Sequence, residues 1–203
     1  MADRAASALT QGRLPLDESA EAAARARGPK WSRLFAGGSP REVLSRLVPG
    51  DPLGVRQRLA RVLADEALLV DADRAHLRAL ARCARGAMRY HGKPDIDEWV
   101  DERVREALAE LVREDAEAAR SGAPPDAGSA FEALARPLGL DPTRMRGACA
   151  AFNGLPIDER RAFFDWVVRG RALDRLAADA RTNASEIARR ARRALDVLRT
   201  TEK

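Results

Sequence analysis

The stretch LPIDERRAFFDWVVRGRALDRLAADARTNASEIARRARRALDVL, residues 155–198, decides the fold. It predicts a helix from Leu155-Pro156 to a C-terminal glycine at Gly170, a helix of two turns, a polar turn and a final helix. The turn is Arg181-Thr182-Asn183, where asparagine can take left-handed backbone angles. The inner face of the final helix is predicted from apolar residues at helical spacing: Ile187, Ala191, Ala194, Leu195 and Leu198.

Apolar residues at helical spacing also predict the two preceding helices. They are Phe163, Phe164, Trp166 and Val167 in the first, and Leu173, Leu176 and Ala177 in the second. Two short helices joined by a tight turn, with arginines on the second, are typical of a helix-turn-helix that binds DNA.

The outer face of the final helix carries polar residues at three- and four-residue spacing: Ser185, Glu186, Arg189, Arg190 and Arg193. Such a helix fits the major groove, where arginine binds guanine through O6 and N7 and glutamate accepts from the cytosine amino group. We predict Ser185 and Glu186 deepest in the groove. Five other arginines are predicted to contact phosphates: Arg171, Arg175, Arg181, Arg192 and Arg199. Alternatively, Glu186 with Arg189 and Arg190 forms only solvated intrahelical ion pairs.

The net charge of +5 lies entirely in the last part of the chain. Residues 146–203 hold 13 basic against 8 acidic residues, whereas residues 1–145 hold 23 of each. A localised basic surface favours a polyanion partner. The alternative is that an arginine-rich composition simply places charge on solvated helix faces.

Composition predicts an all-α protein, because 45% of the residues are hydrophobic but only 4% are aromatic. Two cysteines make no disulfide framework, the N-terminus lacks the apolar core of a signal peptide, and no apolar run approaches the ~18 residues of a membrane helix. These features predict a cytoplasmic protein with no membrane partner.

His76 and His91 have no neighbours at metal-ligand spacing, and no nucleophile–base set or phosphate loop is present, so we expect neither an enzyme nor a metal or other cofactor.

The predicted organisation is two small helical domains joined by a flexible linker. Residues 121–128, SGAPPDAG, form the linker by composition. The other ranges are a disordered tail over 1–38 with a short helix over 18–27, a helical domain over 39–120, and the helix-turn-helix domain over 129–203.

Within 39–120, Ser39-Pro40-Arg41-Glu42 forms a capping box that starts a helix ending at Leu47. Further helices are predicted over 52–64, over 71–88 with Leu77 and Met88 on its apolar stripe, and over 95–120; two more are expected over 129–136 and 142–152. Residues 95–117 hold ten acidic residues against three arginines, which predicts an acidic polar face.

Residues 155–198 resemble region 4 of the sigma-70 family of bacterial RNA polymerase sigma factors, of the extracytoplasmic-function type. The family pattern L-P-x-x-x-R-x-v-l-x-L-x-y-x-e-G-x-s-x-x-E-I-A-x-x-L-G-x-S-x-x-T-V-K-S-R-x-x-R-A-x-x-x-L fits without a gap. Matching residues are Leu155, Pro156, Arg160, Gly170, Leu176, Ala177, Ile187, Arg190, Arg193, Ala194 and Leu198. Departures are Arg175 for glutamate, Arg181 for the turn glycine, and Glu186-Ile187-Ala188 for Thr-Val-Lys.

Residues 90–100, YHGKPDIDEWV, resemble the F-R-G-x-x-x-f-x-x-W-L pattern of region 2. Residues 71–84, DADRAHLRALARCA, stand where the family has the E-D-x-x-Q-x-v-f signature that docks on the polymerase clamp. The family's asparagine and basic residues, which bind the minus-10 promoter element, are replaced by Glu106, Glu110, Glu114 and Asp115. An acidic helix repels phosphate and offers no aromatic ring on which bases could stack.

The resemblance implies a divergent sigma-like factor that binds double-stranded promoter DNA and docks on the bacterial RNA polymerase core, with an anti-sigma or other regulatory protein as a further partner. A second hypothesis is a helix-turn-helix transcriptional regulator whose N-terminal helical domain binds another protein. A third is an interaction protein or anti-sigma-like adaptor that has lost DNA binding.

Overall fold

The computed structural model of the protein describes residues 31–122, Ala135 and residues 144–200. These residues form helices, turns and loops and contain no strand, which confirms the predicted all-α class. The α-helices are α1 (Trp31–Phe35), α2 (Pro40–Leu47), α3 (Val55–Glu66), α4 (Ala72–Gly86), α5 (Ile96–Arg120), α6 (Met145–Asn153), α7 (Ile157–Phe163), α8 (Leu173–Asp179) and α9 (Ala184–Thr200). A 3₁₀ turn, Ala87–Arg89, follows α4, and a π-helical turn, Phe164–Val168, follows α7.

Contacts group the described residues into two units. The N-terminal unit holds residues 31–61 and 72–111, and the C-terminal unit holds residues 62–71, 112–122, 135 and 144–200. This grouping differs from the predicted domains, which follow the chain. The predicted helices over 18–27 and 129–136 and the predicted linker over 121–128 lie outside the described residues, apart from Ser121, Gly122 and Ala135.

Helix α2 begins as the sequence predicts. The Ser39 hydroxyl accepts from the Glu42 amide at 3.4 Å, and the Glu42 carboxylate accepts from the Ser39 amide at 3.0 Å, with Pro40 in the first turn. These reciprocal bonds satisfy two donors that the first turn would otherwise leave without partners. Val43 and Leu47 are fully buried, so the helix lies with its apolar side inward.

Helix α1 lies inside the range predicted as a disordered tail, and that part of the prediction is wrong. Trp31 and Phe35 pack with Tyr90 and Trp99, which we call the aromatic cluster; the Trp31–Tyr90 and Tyr90–Trp99 ring centroids are 4.9 Å apart. Arg46 donates to the carbonyls of Leu34 and Ala36 at 2.9 Å and so closes the C-terminal end of α1. Aromatic packing and this side-chain cap order a helix that is too short to be stable alone.

Helices α3, α4 and α5 match the helices predicted over 52–64, 71–88 and 95–120. The predicted stripe of α4 is wrong at two positions, because Leu77 is 61% exposed and Met88 is 64% exposed. The buried face of α4 carries Ala75, His76, Ala79, Leu80, Cys83 and Ala84, and Met88 lies within the 3₁₀ turn, where α-helical spacing does not hold.

The C-terminal unit has a core built from α6, α7, α8 and α9. Phe152 and Phe163 meet edge to face at 5.4 Å near its centre. The Asn153 amide pairs with the backbone of Leu69, accepting from its N–H at 2.8 Å and donating to its carbonyl at 2.9 Å. These two bonds explain why residues 62–71 group with the C-terminal residues.

Candidate nucleic-acid interface

The segment before α8 is α7 followed by the π-helical turn and Gly170. Gly170 has φ +65°, which confirms it as the glycine that ends this helical segment. Val167, one of the apolar residues from which this helix is predicted, is 38% exposed, whereas Phe163 is buried. A π-helical turn has more residues per turn than an α-helix, so the α-helical spacing on which the prediction rests does not hold over residues 164–168.

The turn between α8 and α9 uses its residues differently from the prediction. Arg181 has the left-handed backbone, with φ +50°, whereas Asn183 does not. The Asn183 side-chain oxygen instead accepts from the Glu186 amide at 2.8 Å and caps α9. The Thr182 amide donates to the Ala177 carbonyl at 2.9 Å, so the turn also closes the end of α8.

The inner face of α9 is as predicted. Ile187, Ala191, Ala194 and Leu198 are buried in the core of the C-terminal unit, and Leu195 packs against it. Small alanines let α9 lie close to α7, which is among the helices that it contacts most extensively. Burial of this face leaves the other side of α9 to solvent.

The outer face carries an ion-paired triad, Glu186 with Arg189 and Arg190. Arg189 donates to both Glu186 carboxylate oxygens at 2.8 Å, and Arg190 donates to one of them at 2.8 Å. These hydrogen bonds, first from Arg189 and then from Arg190, lower the pKa of Glu186 to about 2. The intrahelical pairs expected under the alternative interpretation therefore form, and Glu186 is ionised at any physiological pH.

Two carboxylates of α7 hold arginines of α9. Arg190 lies 3.6 Å from Asp158, and Arg193 lies 3.1 Å from Glu159, which is buried. Sequence reasoning missed both acidic residues as parts of this surface. Their only signal is their place in the first turn of a helix, which does not reveal that the helix packs beside α9.

The remaining predicted site residues differ in whether they form ion pairs. Arg171 pairs with Asp179 at 2.6 Å and with Asp165 at 3.6 Å. The other arginines predicted to contact phosphates are exposed and have no ion-pair partner within the described part of the chain: Arg175, Arg181, Arg192 and Arg199. Ser185 is also exposed, in the first turn of α9. The structure thus separates paired arginines from unpaired ones.

Part of the predicted acidic face of α5 is paired with arginines inside the N-terminal unit. Arg82 of α4 donates to Glu106 at 3.0 Å and to Glu110 at 3.1 Å. Arg58 of α3 donates to Asp101 at 2.8 Å and also binds Asp97. These four carboxylates therefore connect helices and are partly neutralised, while other acidic residues of the predicted face stay exposed.

Three further properties bear on the class of site. Within residues 31–122 and 144–200, no group of three or more His, Cys, Asp or Glu side chains is placed to hold a metal ion. None of the described helices combines the length and the apolar character needed to cross a membrane. Comparison with protein-family models, curated proteins and solved structures found no significant match.

Proposed function

We propose that the chain is a divergent sigma-like transcription factor. In this proposal α8, its turn and α9 form a helix-turn-helix that binds promoter DNA, and the N-terminal residues dock on the RNA polymerase core to direct transcription initiation. The observation that carries the proposal is the left-handed turn at Arg181 leading into α9, a capped helix with an arginine-bearing outer face.

The turn geometry agrees with the family pattern where the sequence departs from it. Arg181 stands where the family has glycine, and its left-handed backbone is the conformation that glycine adopts most easily. Asn183 stands where the pattern has serine, and both side chains are good helix N-caps. The residues at these two positions can therefore take the roles that the pattern gives to glycine and serine, which supports the proposal.

In this proposal, arginines without an ion-pair partner and arginines that are paired contact different parts of the DNA. Arg175, Arg181, Arg192 and Arg199, which have no partner among the described residues, would contact phosphates and position the protein. Ser185, Glu186 and Arg189 lie in the first two turns of α9, the part of a recognition helix that meets base edges. The protein would direct where the polymerase starts without performing chemistry itself.

DNA binding is tested by fluorescence anisotropy with mixed-sequence duplex DNA at low and at high ionic strength. We expect binding that weakens steeply with salt, because phosphate contacts release counterions. Arg175→Ala plus Arg192→Ala should weaken binding and make the slope of log K against log [salt] shallower by about two, because each lost phosphate contact contributes about 0.9 to the slope. Arg105→Ala plus Arg113→Ala removes the same charge from exposed positions of α5 and should have little effect. Binding too weak to detect at low ionic strength would refute the proposal.

A second candidate function is a helix-turn-helix regulator that is not a sigma factor. The observation that favours it is the pairing of Glu106 and Glu110 with Arg82, at positions where the family binds and opens promoter DNA. In this candidate the N-terminal unit binds another protein. Co-purification with core polymerase and transcription in vitro separate the two: DNA binding without polymerase binding or initiation supports the regulator.

A further inference from the structure

Carboxylates balance the arginines on the outer face of α9, and two of these carboxylates come from α7 and not from α9 itself. Arg189, Arg190 and Arg193 are each in contact with a carboxylate, and the three carboxylates are Glu186, Asp158 and Glu159. The paired groups sum to no net charge. Of these carboxylates only Glu186 lies on α9 itself, and it alone binds two arginines.

A DNA phosphate is a poor competitor for the arginines that Glu186 binds. A phosphate offers acceptors to Arg189 and Arg190, but it repels the carboxylate from which it would take them. A G·C base pair presents in the major groove acceptors on guanine, which suit arginine, and a donor on the cytosine amino group, which suits glutamate. The edge of a G·C base pair can therefore offer a new partner both to Arg189 and to Glu186. The DNA backbone can offer one only to Arg189.

We infer that Glu186 is a specificity-determining residue that suppresses binding to DNA of arbitrary sequence by holding Arg189 and Arg190 away from phosphates. This inference rests on the proposed function, that α9 binds duplex DNA. Its structural basis is the bidentate bond from Arg189 together with the third bond from Arg190, all at 2.8 Å. The family pattern has threonine at this position, so the suppression is a property of this chain's own residue.

The test measures binding of mixed-sequence duplex DNA by wild type and by Glu186→Gln across a range of salt concentrations. Each added phosphate contact changes the slope of log K against log [salt] by about 0.9. We expect Glu186→Gln to steepen the slope by about one to two and to tighten binding at low salt by roughly tenfold, because Arg189 is released and Arg190 keeps only its 3.6 Å contact with Asp158.

Two controls separate this release from a general change of charge. Asp196→Asn removes the same charge from an exposed position on α9 that forms no ion pair with a described residue, and it should leave the slope unchanged. Adding Glu186→Gln to Arg189→Ala plus Arg190→Ala should give no gain in binding. A gain of equal size in that background would overturn the inference, because the released arginines would then not be its cause.

The outcomes also distinguish the inference from the proposed function. Wild type that binds DNA with the same slope and affinity as Glu186→Gln overturns the inference and leaves DNA binding in place. Absence of binding by wild type and by every variant at low ionic strength overturns both. Both are supported if Glu186→Gln binds DNA more tightly than wild type does. The same substitution must then give no such gain in the variant that lacks Arg189 and Arg190.

Discussion

Arg181 and Asn183 divide between them the two requirements of the turn before α9. Arg181 takes the left-handed backbone that reverses the chain, at the cost of about 1 kcal/mol that a residue with a Cβ atom incurs there. Asn183 provides the side-chain acceptor for the first turn of α9. The polar character of the turn is predictable from sequence, but which residue takes which task depends on how α8 ends.

Replacing the cap tests this division. Asn183→Ala should lower the free energy of unfolding by about 1 kcal/mol, because the Glu186 amide loses its side-chain acceptor. Urea denaturation followed by circular dichroism measures the change. Asn183→Ser is the matched control and should stay within about 0.5 kcal/mol of wild type, since serine also caps. Equal losses in both variants would contradict the assigned role of the side chain.

At the scale of elements, helix packing in the N-terminal unit depends on a close contact at Gly86. A Cβ atom at this position would lie 2.9 Å from Cζ2 of Trp99, shorter than van der Waals contact. Gly86 has an ordinary right-handed backbone, so its conformation does not require glycine. The residue is small because α4 approaches the aromatic cluster there.

Gly86→Ala should therefore destabilise the protein by about 1 kcal/mol in urea denaturation. Alanine in a helix is favoured over glycine by up to ~1 kcal/mol, but overpacking costs roughly 1–3 kcal/mol and outweighs it. In a Trp99→Phe background the smaller ring removes the clash, so the same substitution should become neutral or stabilising. Stabilisation by Gly86→Ala in the wild-type background would show that the ring does not lie against this position.

The helices themselves are largely predictable from sequence, and their partners are not. The capping box at Ser39 and the apolar face of α9 are local patterns, so the structure confirms them. Helix α1 depends on contacts between Trp31 and Tyr90, which are far apart in the sequence. From sequence alone, the acidic residues of α5 are likewise expected to face solvent. In the structure Arg82 of α4 pairs with Glu106. Charge pairing between helices is a tertiary property that periodicity does not encode.

At the scale of the whole molecule, the number of arginines overstates the basic surface. The excess of five charges in residues 146–203 is real, but three arginines of α9 are already paired with carboxylates. The candidate site therefore has fewer arginines ready for phosphates than its sequence suggests. Which members of the predicted site are paired could be derived only from the packing of α7 beside α9.

Each of the two units also contains one buried free cysteine, Cys83 in the N-terminal unit and Cys149 in the C-terminal unit. Burial raises the pKa of both thiols from 9.0 to about 12. Because the thiolate is the form that reacts, a raised pKa and a buried position both protect the side chain. The two thiols thus report on the packing of their own units.

Thiol labelling with a disulfide reagent should accordingly be slow in the native protein. At pH 8 a thiol whose pKa is raised to about 12 has very little thiolate, so native labelling should be slower than labelling in urea by roughly a hundredfold or more. Cys83→Ala and Cys149→Ala variants, each with one remaining thiol, assign the rate to a unit. A native rate close to the unfolded rate for either thiol would show that its unit opens readily, and would contradict the packing around that cysteine.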